Sequence, residues 1–182
     1  MKNQIKTILL STLTLLLSVS LNAQEKLITK TAQIKFYSEK GGIGASNFAV
    51  VSKIDLTTGE MVFSAPIQSF EFKNATMQKH FNQEDLMDSK SHPKAKFVGA
   101  IKNISDVDFT KDGVYKVEVE GKLTIKGNTK EIVTSGTITV KDGKIIANST
   151  FSIDRFEYGI TGKSKAVSQT IELTIISTYE KI

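Results

Sequence analysis

The chain is predicted to be an all-β protein, an eight-stranded antiparallel barrel with a short helical insertion over one end. Three observations point there. After the first two dozen residues, eight segments alternate apolar and polar side chains with period two, the pattern of strands with one buried face. Turn signals separate them at Thr58-Gly59, Lys111-Asp112-Gly113, Lys126-Gly127-Asn128 and Lys141-Asp142-Gly143. A dense polar stretch from Asn74 to Pro93 interrupts the ladder once. Eight strands close a small barrel whose interior holds one ligand, so the function of such a chain lies in what fills the inside.

The elements follow in order. Lys2 and Lys6 precede an uncharged apolar run from Ile8 to Leu21 and the polar exit Asn22-Ala23-Gln24, which together read as a secretory signal, 1–23, cleaved after Ala23. The run is short for a membrane span, which needs about 20 apolar residues. The barrel domain is then 24–182, and the expected location is periplasmic or secreted. Period two gives strands near 26–37, 47–56, 60–72, 95–104, 114–126, 130–141, 144–154 and 167–179. In the 114–126 segment Val117, Val119, Leu123 and Ile125 face one way, while Lys116, Glu118, Glu120 and Lys122 face the other.

The Asp-Gly pairs mark hairpin corners because they tolerate positive φ, so consecutive strands pair antiparallel. Pro66 removes a ladder donor inside the third strand and predicts a bulge or an edge there. The insertion, about 74–93, predicts one or two short helices lying across one barrel opening as a lid or plug, with Asn74 as N-cap and Met77 and Phe81 on one face.

Composition removes several classes of function. There is no cysteine, hence neither a disulfide framework nor a lipobox. The formal charge is +5, of which Lys2 and Lys6 belong to the signal, and lysines alternate with acids as in Lys116-Val117-Glu118. That mixed surface argues against nucleic acid, which demands basic residues gathered on one face. A membrane-spanning barrel needs an apolar outer band, and the outward residues of 114–126 are charged. The mature chain therefore carries no predicted transmembrane segment.

Chemistry-bearing patterns are sparse. No serine sits in a Gly-x-Ser-x-Gly elbow, and no catalytic residue is assigned. If the helix continued, His80, Glu84 and Asp88 would share a face at i, i+4 and i+8 and offer a mixed metal-ligand set; the competing reading is the solvated side of a lid helix, and no metal ligand is assigned. Gly41-Gly42-Ile43-Gly44 reads as a flexible turn, because a strand follows it where a phosphate-binding loop needs a helix. The neighbouring acids Glu84-Asp85 and Asp106/Asp108 read as solubility and capping residues. Asn-x-Ser/Thr triplets at Asn74, Asn103 and Asn148 read as coincidence in a bacterial-looking chain. Arg155, the only arginine, stands beside Phe156, where a guanidinium can stack and fork toward a carboxylate or carbonyl. It either pairs with an acid of the neighbouring strand or reaches a ligand.

Five blocks in order carry a resemblance: Phe63-Ser64-Ala65-Pro66-Ile67-Gln68-Ser69-Phe70, Met77-Gln78-Lys79-His80-Phe81, Ser91-His92-Pro93-Lys94-Ala95-Lys96-Phe97, Gly121 to Lys130, and Phe151 to Ile160. Together they resemble YceI-like proteins, especially forms from Bacteroidetes-type bacteria, over essentially the whole mature chain. The resemblance implies a lipocalin-like barrel with an apolar tunnel for a long isoprenoid chain, such as a polyprenyl or quinone tail, in a family regarded as binding or carrier proteins rather than enzymes. One position departs from the family pattern: Gln78 stands where many members carry arginine.

The expected role is thus sequestration or transport of an apolar isoprenoid-type lipid. Expected lining residues are Phe48 and Val50 from 47–56, and Phe63, Phe70 and Phe72 from 60–72. Phe97, Ile101, Val119, Leu123 and Ile138 follow, then Phe151 and Ile153, then Ile171 and Leu173. Met77, Phe81 and Leu86 would cap the end, and His80 or Arg155 would hold a polar head. No cofactor is called for beyond a bound isoprenoid lipid or quinone. A transient membrane contact and a homodimer are compatible with such a carrier. Two other classes stay open: a structural barrel filled by its ten phenylalanines, and a metal-dependent protein built on 80–88.

Overall fold

Alternating side chains need a sheet with an inside, and the sheet here closes on itself. The structure, a computed structural model, describes residues 25–162 and 165–180, so the predicted signal segment lies outside the described residues. The elements are β1 (Lys26–Ser38), β2 (Ile43–Asp55), β3 (Glu60–Pro66), β4 (Phe70–Phe72), α1 (Ala75–Phe81), β5 (Lys94–Ile101), β6 (Gly113–Ile125), β7 (Asn128–Lys141), β8 (Lys144–Asp154) and β9 (Thr170–Glu180). Every pairing is antiparallel, in the order β1-β9-β8-β7-β6-β5-β3-β2, and β1 pairs back onto β2 to complete an eight-stranded barrel.

The ninth strand arises from Pro66. The segment expected as one strand over 60–72 breaks at a one-turn 3-10 helix, Ile67–Ser69, so β3 pairs with β2 at Val51–Ile54 and β4 pairs with β2 at Ala45–Asn47. Two hairpins turn on two residues with positive φ, Lys126-Gly127 (48° and 76°) and Asp142-Gly143 (50° and 74°), matching the right-handed strand twist. Asp112-Gly113 is not such a corner. Gly113 opens β6 after a long connection from β5, whose Ile104, Val107 and Phe109 pack onto the core. The strand expected to run to 104 stops at Ile101, and the last strand starts at Thr170. Gly41 and Gly42 do form a turn, with φ of 80° and 58°, and β2 begins directly after it at Ile43.

One irregularity decides which residues face inward. Between β1 and β2 the register steps from Ala32↔Val50 to Ile34↔Asn47, so two β2 residues oppose one on β1. Asn47 holds this bulge: its Nδ2 donates to the Pro66 carbonyl at 2.8 Å and its Oδ1 accepts from the Ala49 N–H at 2.9 Å. Asn47 and Val50 are both fully buried, and Phe48 is thrown outward, 52% exposed. Phe48 is therefore on the outer surface, contrary to its expected lining position.

The insertion is one short helix and a series of turns. Asn74 caps α1, its Oδ1 accepting from the N–H groups of Thr76 at 2.8 Å and Met77 at 3.3 Å. The helix stops at Phe81, and the chain folds back with Met87 N–H donating to the Phe81 carbonyl and Asp88 N–H to that of Gln83. No second helix forms. Glu84 and Asp88 consequently leave the His80 face, and the i, i+4, i+8 ligand geometry is not built.

The core divides into two clusters. One gathers Val50, Ile54, Met61, Ile101, Ile138 and Ile145 at the end away from α1; the other gathers Ile67, Phe70, Met87, Ile125, Ile153 and Ile171 beneath α1. In the first, the fully buried Tyr179 of β9 shares a hydrogen bond with Ser52 of β2, tying two strands that flank β1. Burial pushes the Tyr179 hydroxyl above the usual phenol range, and the bond to Ser52 offsets only part of that. Tyr179→Phe leaves Ser52 without its partner and is expected to cost about 1–3 kcal/mol in urea unfolding at neutral pH. Above a pH of about 10 the unfolded chain releases the phenol proton first, so wild-type stability falls with rising pH. That alkaline limb should be shallower in Tyr179→Phe; an unchanged limb contradicts the assignment.

Candidate functional site

Inward residues of the barrel leave two apolar cavities stacked along its axis. The mouth cavity, about 390 Å³, lies beneath α1. The inner cavity, about 110 Å³, lies deeper. Ile34, Leu123 and Leu173 line both and form the waist between them. On the inner side, Phe97 packs edge-on to Phe63, with ring centroids 6.3 Å apart. The Phe97 ring has room because Gly99 and Gly121 pair opposite each other beneath it: a Cβ at Gly121 would stand 2.6 Å from the ring.

The roof of the mouth cavity is held by aromatic contacts. Phe81 of α1 stacks on Phe36 of β1 at 5.5 Å between centroids and tilts against Phe72 at 5.0 Å; Phe70 completes the cluster. These rings lie together instead of spreading across the lumen, which leaves the space under α1 open. Such pairs contribute about 0.5–1.5 kcal/mol each beyond area burial, so α1 is docked on the wall.

The expected residues divide between the two cavities. Phe63, Phe97, Ile101, Val119, Ile138 and Phe151 line the inner one. Phe70, Phe72, Met77, His80, Phe81 and Leu86 line the mouth cavity with Ile153, Arg155 and Ile171, and Leu123 and Leu173 stand at the waist. Val50, expected to line the interior, is instead fully buried in the core cluster and lines neither cavity. Ile34 and Phe36 join the lining outside the expected set, although the alternation Ala32, Ile34, Phe36 against Gln33 and Lys35 carries their signal.

Arg155 is placed by a one-turn 3-10 helix, Arg155–Tyr158, capped by Asp154, whose Oδ1 accepts from the Phe156 N–H at 2.8 Å. Arg155 is 6% exposed. Its Nε donates to the Ser168 carbonyl at 3.0 Å, and Nη1 donates to the carbonyls of Ile160 and Thr161. It lies 4.3 Å from the Phe156 ring centroid. Among the described residues no carboxylate of a neighbouring strand pairs with it, so backbone carbonyls take the place of the expected acid. Burial lowers its pKa and the Asp154 charge raises it again; an arginine stays charged throughout. Arg155 thus ties 160–161 to 168 and presents one edge to a recess of about 240 Å³ shared with His80, Gln83, Asp85 and Leu86. The site is an apolar chamber with a small polar rim. Glu84 and Asp88 line a separate outward recess without His80, and among the described residues no three His, Cys, Asp or Glu side chains gather to hold a metal ion.

The model of the YceI-like domain matches residues 20–178. The chain belongs to the YceI-like family. No curated protein matches it. Among solved structures, a polyisoprenoid binding domain from Saccharophagus degradans, described as implicated in plant cell wall breakdown, has a TM-score of 0.73 at 14% identity, covering 87% of this chain and 99% of that one. Burkholderia cenocepacia BcnA has a TM-score of 0.68 at 19% identity, covering 81% and 95%. The Campylobacter jejuni YCEI protein has a TM-score of 0.55 at 23% identity, covering 73% and 81%. At these identities the likeness establishes a shared fold.

Within this YceI-like barrel Gln78 is half-buried, and its carbonyl accepts from the Asn82 side chain at 2.8 Å. It lines neither cavity, so the departure from the family pattern falls outside the chamber wall. Arg155 has the larger structural weight. Arg155→Lys keeps the charge but loses the planar fork that reaches three carbonyls. It is expected to cost about 1.5–3 kcal/mol in denaturant unfolding and to hasten proteolysis within 160–169. A variant as stable and as protease-resistant as wild type would show that these bonds do not organise the rim.

Proposed function

We propose that this protein is an exported carrier that sequesters or transports an apolar isoprenoid-type lipid, a polyprenyl or quinone tail, in the barrel interior. The observation that carries the reading is the pair of stacked apolar cavities meeting at Ile34, Leu123 and Leu173. The mouth cavity falls within the roughly 300–1,000 Å³ usual for small-molecule sites. Burying a chain contributes about 0.8 kcal/mol per CH₂ before ordering costs. Walls of aliphatic and aromatic side chains select for length and girth, and the shared recess of His80 and Arg155 at the rim supports a seat for a polar head there. Binding to polyisoprenoid, the property named for the Saccharophagus domain, fits the same chamber.

The reading is of a binding protein and not an enzyme, periplasmic or secreted, that touches a membrane transiently to load and unload. The Lys2–Ala23 leader supports export, and the five sequence blocks support a Bacteroidetes-type member of the family. A solid structural barrel is disfavoured by the volume left beneath α1.

The test is titration of residues 24–182 with an apolar fluorescent probe, then displacement by a short and a long polyprenol. The protein should take up the probe stoichiometrically. Leu123→Trp, which obstructs the waist, should weaken the long polyprenol by about tenfold, near 1.4 kcal/mol, and affect the short one little. No probe uptake would refute the carrier reading, and equal losses for both polyprenols would refute the two-chamber seat.

A further inference from the structure

We infer that the ligand enters and leaves through the side wall of the barrel, along a slit between β7 and β8; the inference rests on the lipid-carrier reading. The β7–β8 ladder runs from Lys141↔Lys144 only as far as Gly136↔Ser149. Both strands continue beyond that point. β7 stays paired with β6 down to Ile125↔Asn128, and β8 stays paired with β9 up to Asp154↔Thr170. Among the described residues no backbone hydrogen bond joins the two free arms. Each arm is therefore fixed by its outer neighbour while the seam between them is unzipped.

The fork is built into the sequence at Gly136. A Cβ there would stand 2.6 Å from the Asn148 carbonyl oxygen, so only glycine permits the last close approach of the two backbones. Just past the fork the Ser149 hydroxyl donates to the Ser135 carbonyl at 2.7 Å. At the other end the Asn128 side chain donates to the Tyr158 carbonyl at 3.0 Å. The slit is thus bounded at both ends by side-chain bonds. Between them Ile132 and Thr134 of β7 and Phe151 of β8 line the inner cavity, and all three are only partly buried. Val133 stands 78% exposed on the outer lip.

At this seam the wall of the inner cavity consists of side chains. Opening it takes rotamer changes, which are fast, and breaks no ladder bond. The mouth is a harder route, because α1 is pinned by the phenylalanine cluster and a chain would have to thread end-on past the waist. A slit parallel to the strands admits a long chain broadside.

The chain has no cysteine, so an engineered pair is unambiguous. Val133 and Ser152 are exposed on the outer lips of the two free arms, and the double variant Val133→Cys/Ser152→Cys closes the slit when oxidised directly or through a disulfide-containing bifunctional thiol cross-linker that spans the seam. Thr139→Cys/Ile146→Cys, within the paired part of the ladder, is the control. Stopped-flow uptake and release of the apolar fluorescent probe, and transfer of a long polyprenol from phosphatidylcholine vesicles, are compared before and after reduction. Both rates should fall about tenfold or more in the oxidised slit variant, at unchanged equilibrium affinity, and recover on reduction, while the control is unaffected. Phe151→Ala, which removes one shutter, should exchange faster. Unaltered rates in the oxidised slit variant, or no acceleration in Phe151→Ala, overturn the side entrance while leaving the carrier intact. Absence of any probe binding to wild type overturns both.

Discussion

Closure of the sheet through β1 is the constraint on which the rest of the molecule depends. β1 pairs with β2 along its length and with β9 through Gln33–Tyr37, and this double pairing turns an open sheet into a barrel. The width of the interior then follows from the number of strands, whatever side chains the strands carry. In this chain four phenylalanines that could have bridged the lumen, Phe36, Phe70, Phe72 and Phe81, contact one another and anchor the roof. Space beneath that roof is the outcome, and an apolar chamber is what a carrier of hydrocarbon chains requires.

Closure also demands local departures from a regular ladder, and each has one asparagine, proline or glycine residue that sustains it. The β2 bulge rests on the Asn47 amide, the β3–β4 break on Pro66, and the β7–β8 fork on Gly136. The mouth rests on Arg155, a buried cation whose charge is met by three backbone carbonyls. Removing an interior polar partner leaves others unsatisfied, a cost greater than that of losing a surface contact. Stability and the shape of the barrel wall are therefore set at the same few positions.

Most of the barrel could be read from the residues because strand alternation is a local signal. The eight segments, the corners at Lys126-Gly127 and Asp142-Gly143, the Asn74 cap and the break at Pro66 all declare themselves in neighbouring residues. What escaped reading depends on contacts distant in sequence. Phe48 belongs to an apolar alternation, yet one extra residue in β2 reverses its face, and that count is visible only once β1 lies beside it. The helix ends at Phe81 because the following turns fold back onto it, which dissolves the ligand face expected of His80, Glu84 and Asp88. Arg155 finds carbonyls supplied by a segment up to thirteen residues away, which no spacing rule encodes. The division of the interior into two chambers arises from side chains on three different strands meeting at Ile34, Leu123 and Leu173.

Family membership and chamber geometry support an apolar lipid-binding barrel, and the proposed carrier role follows from that chamber. The most direct test of that claim is native mass spectrometry, paired with mass spectrometry of the organic extract, on residues 24–182 purified from a bacterial periplasm without detergent. The account predicts a stoichiometric polyprenyl or quinone species released by organic solvent. A protein that carries nothing, and stays empty after incubation with polyprenol vesicles, would contradict it.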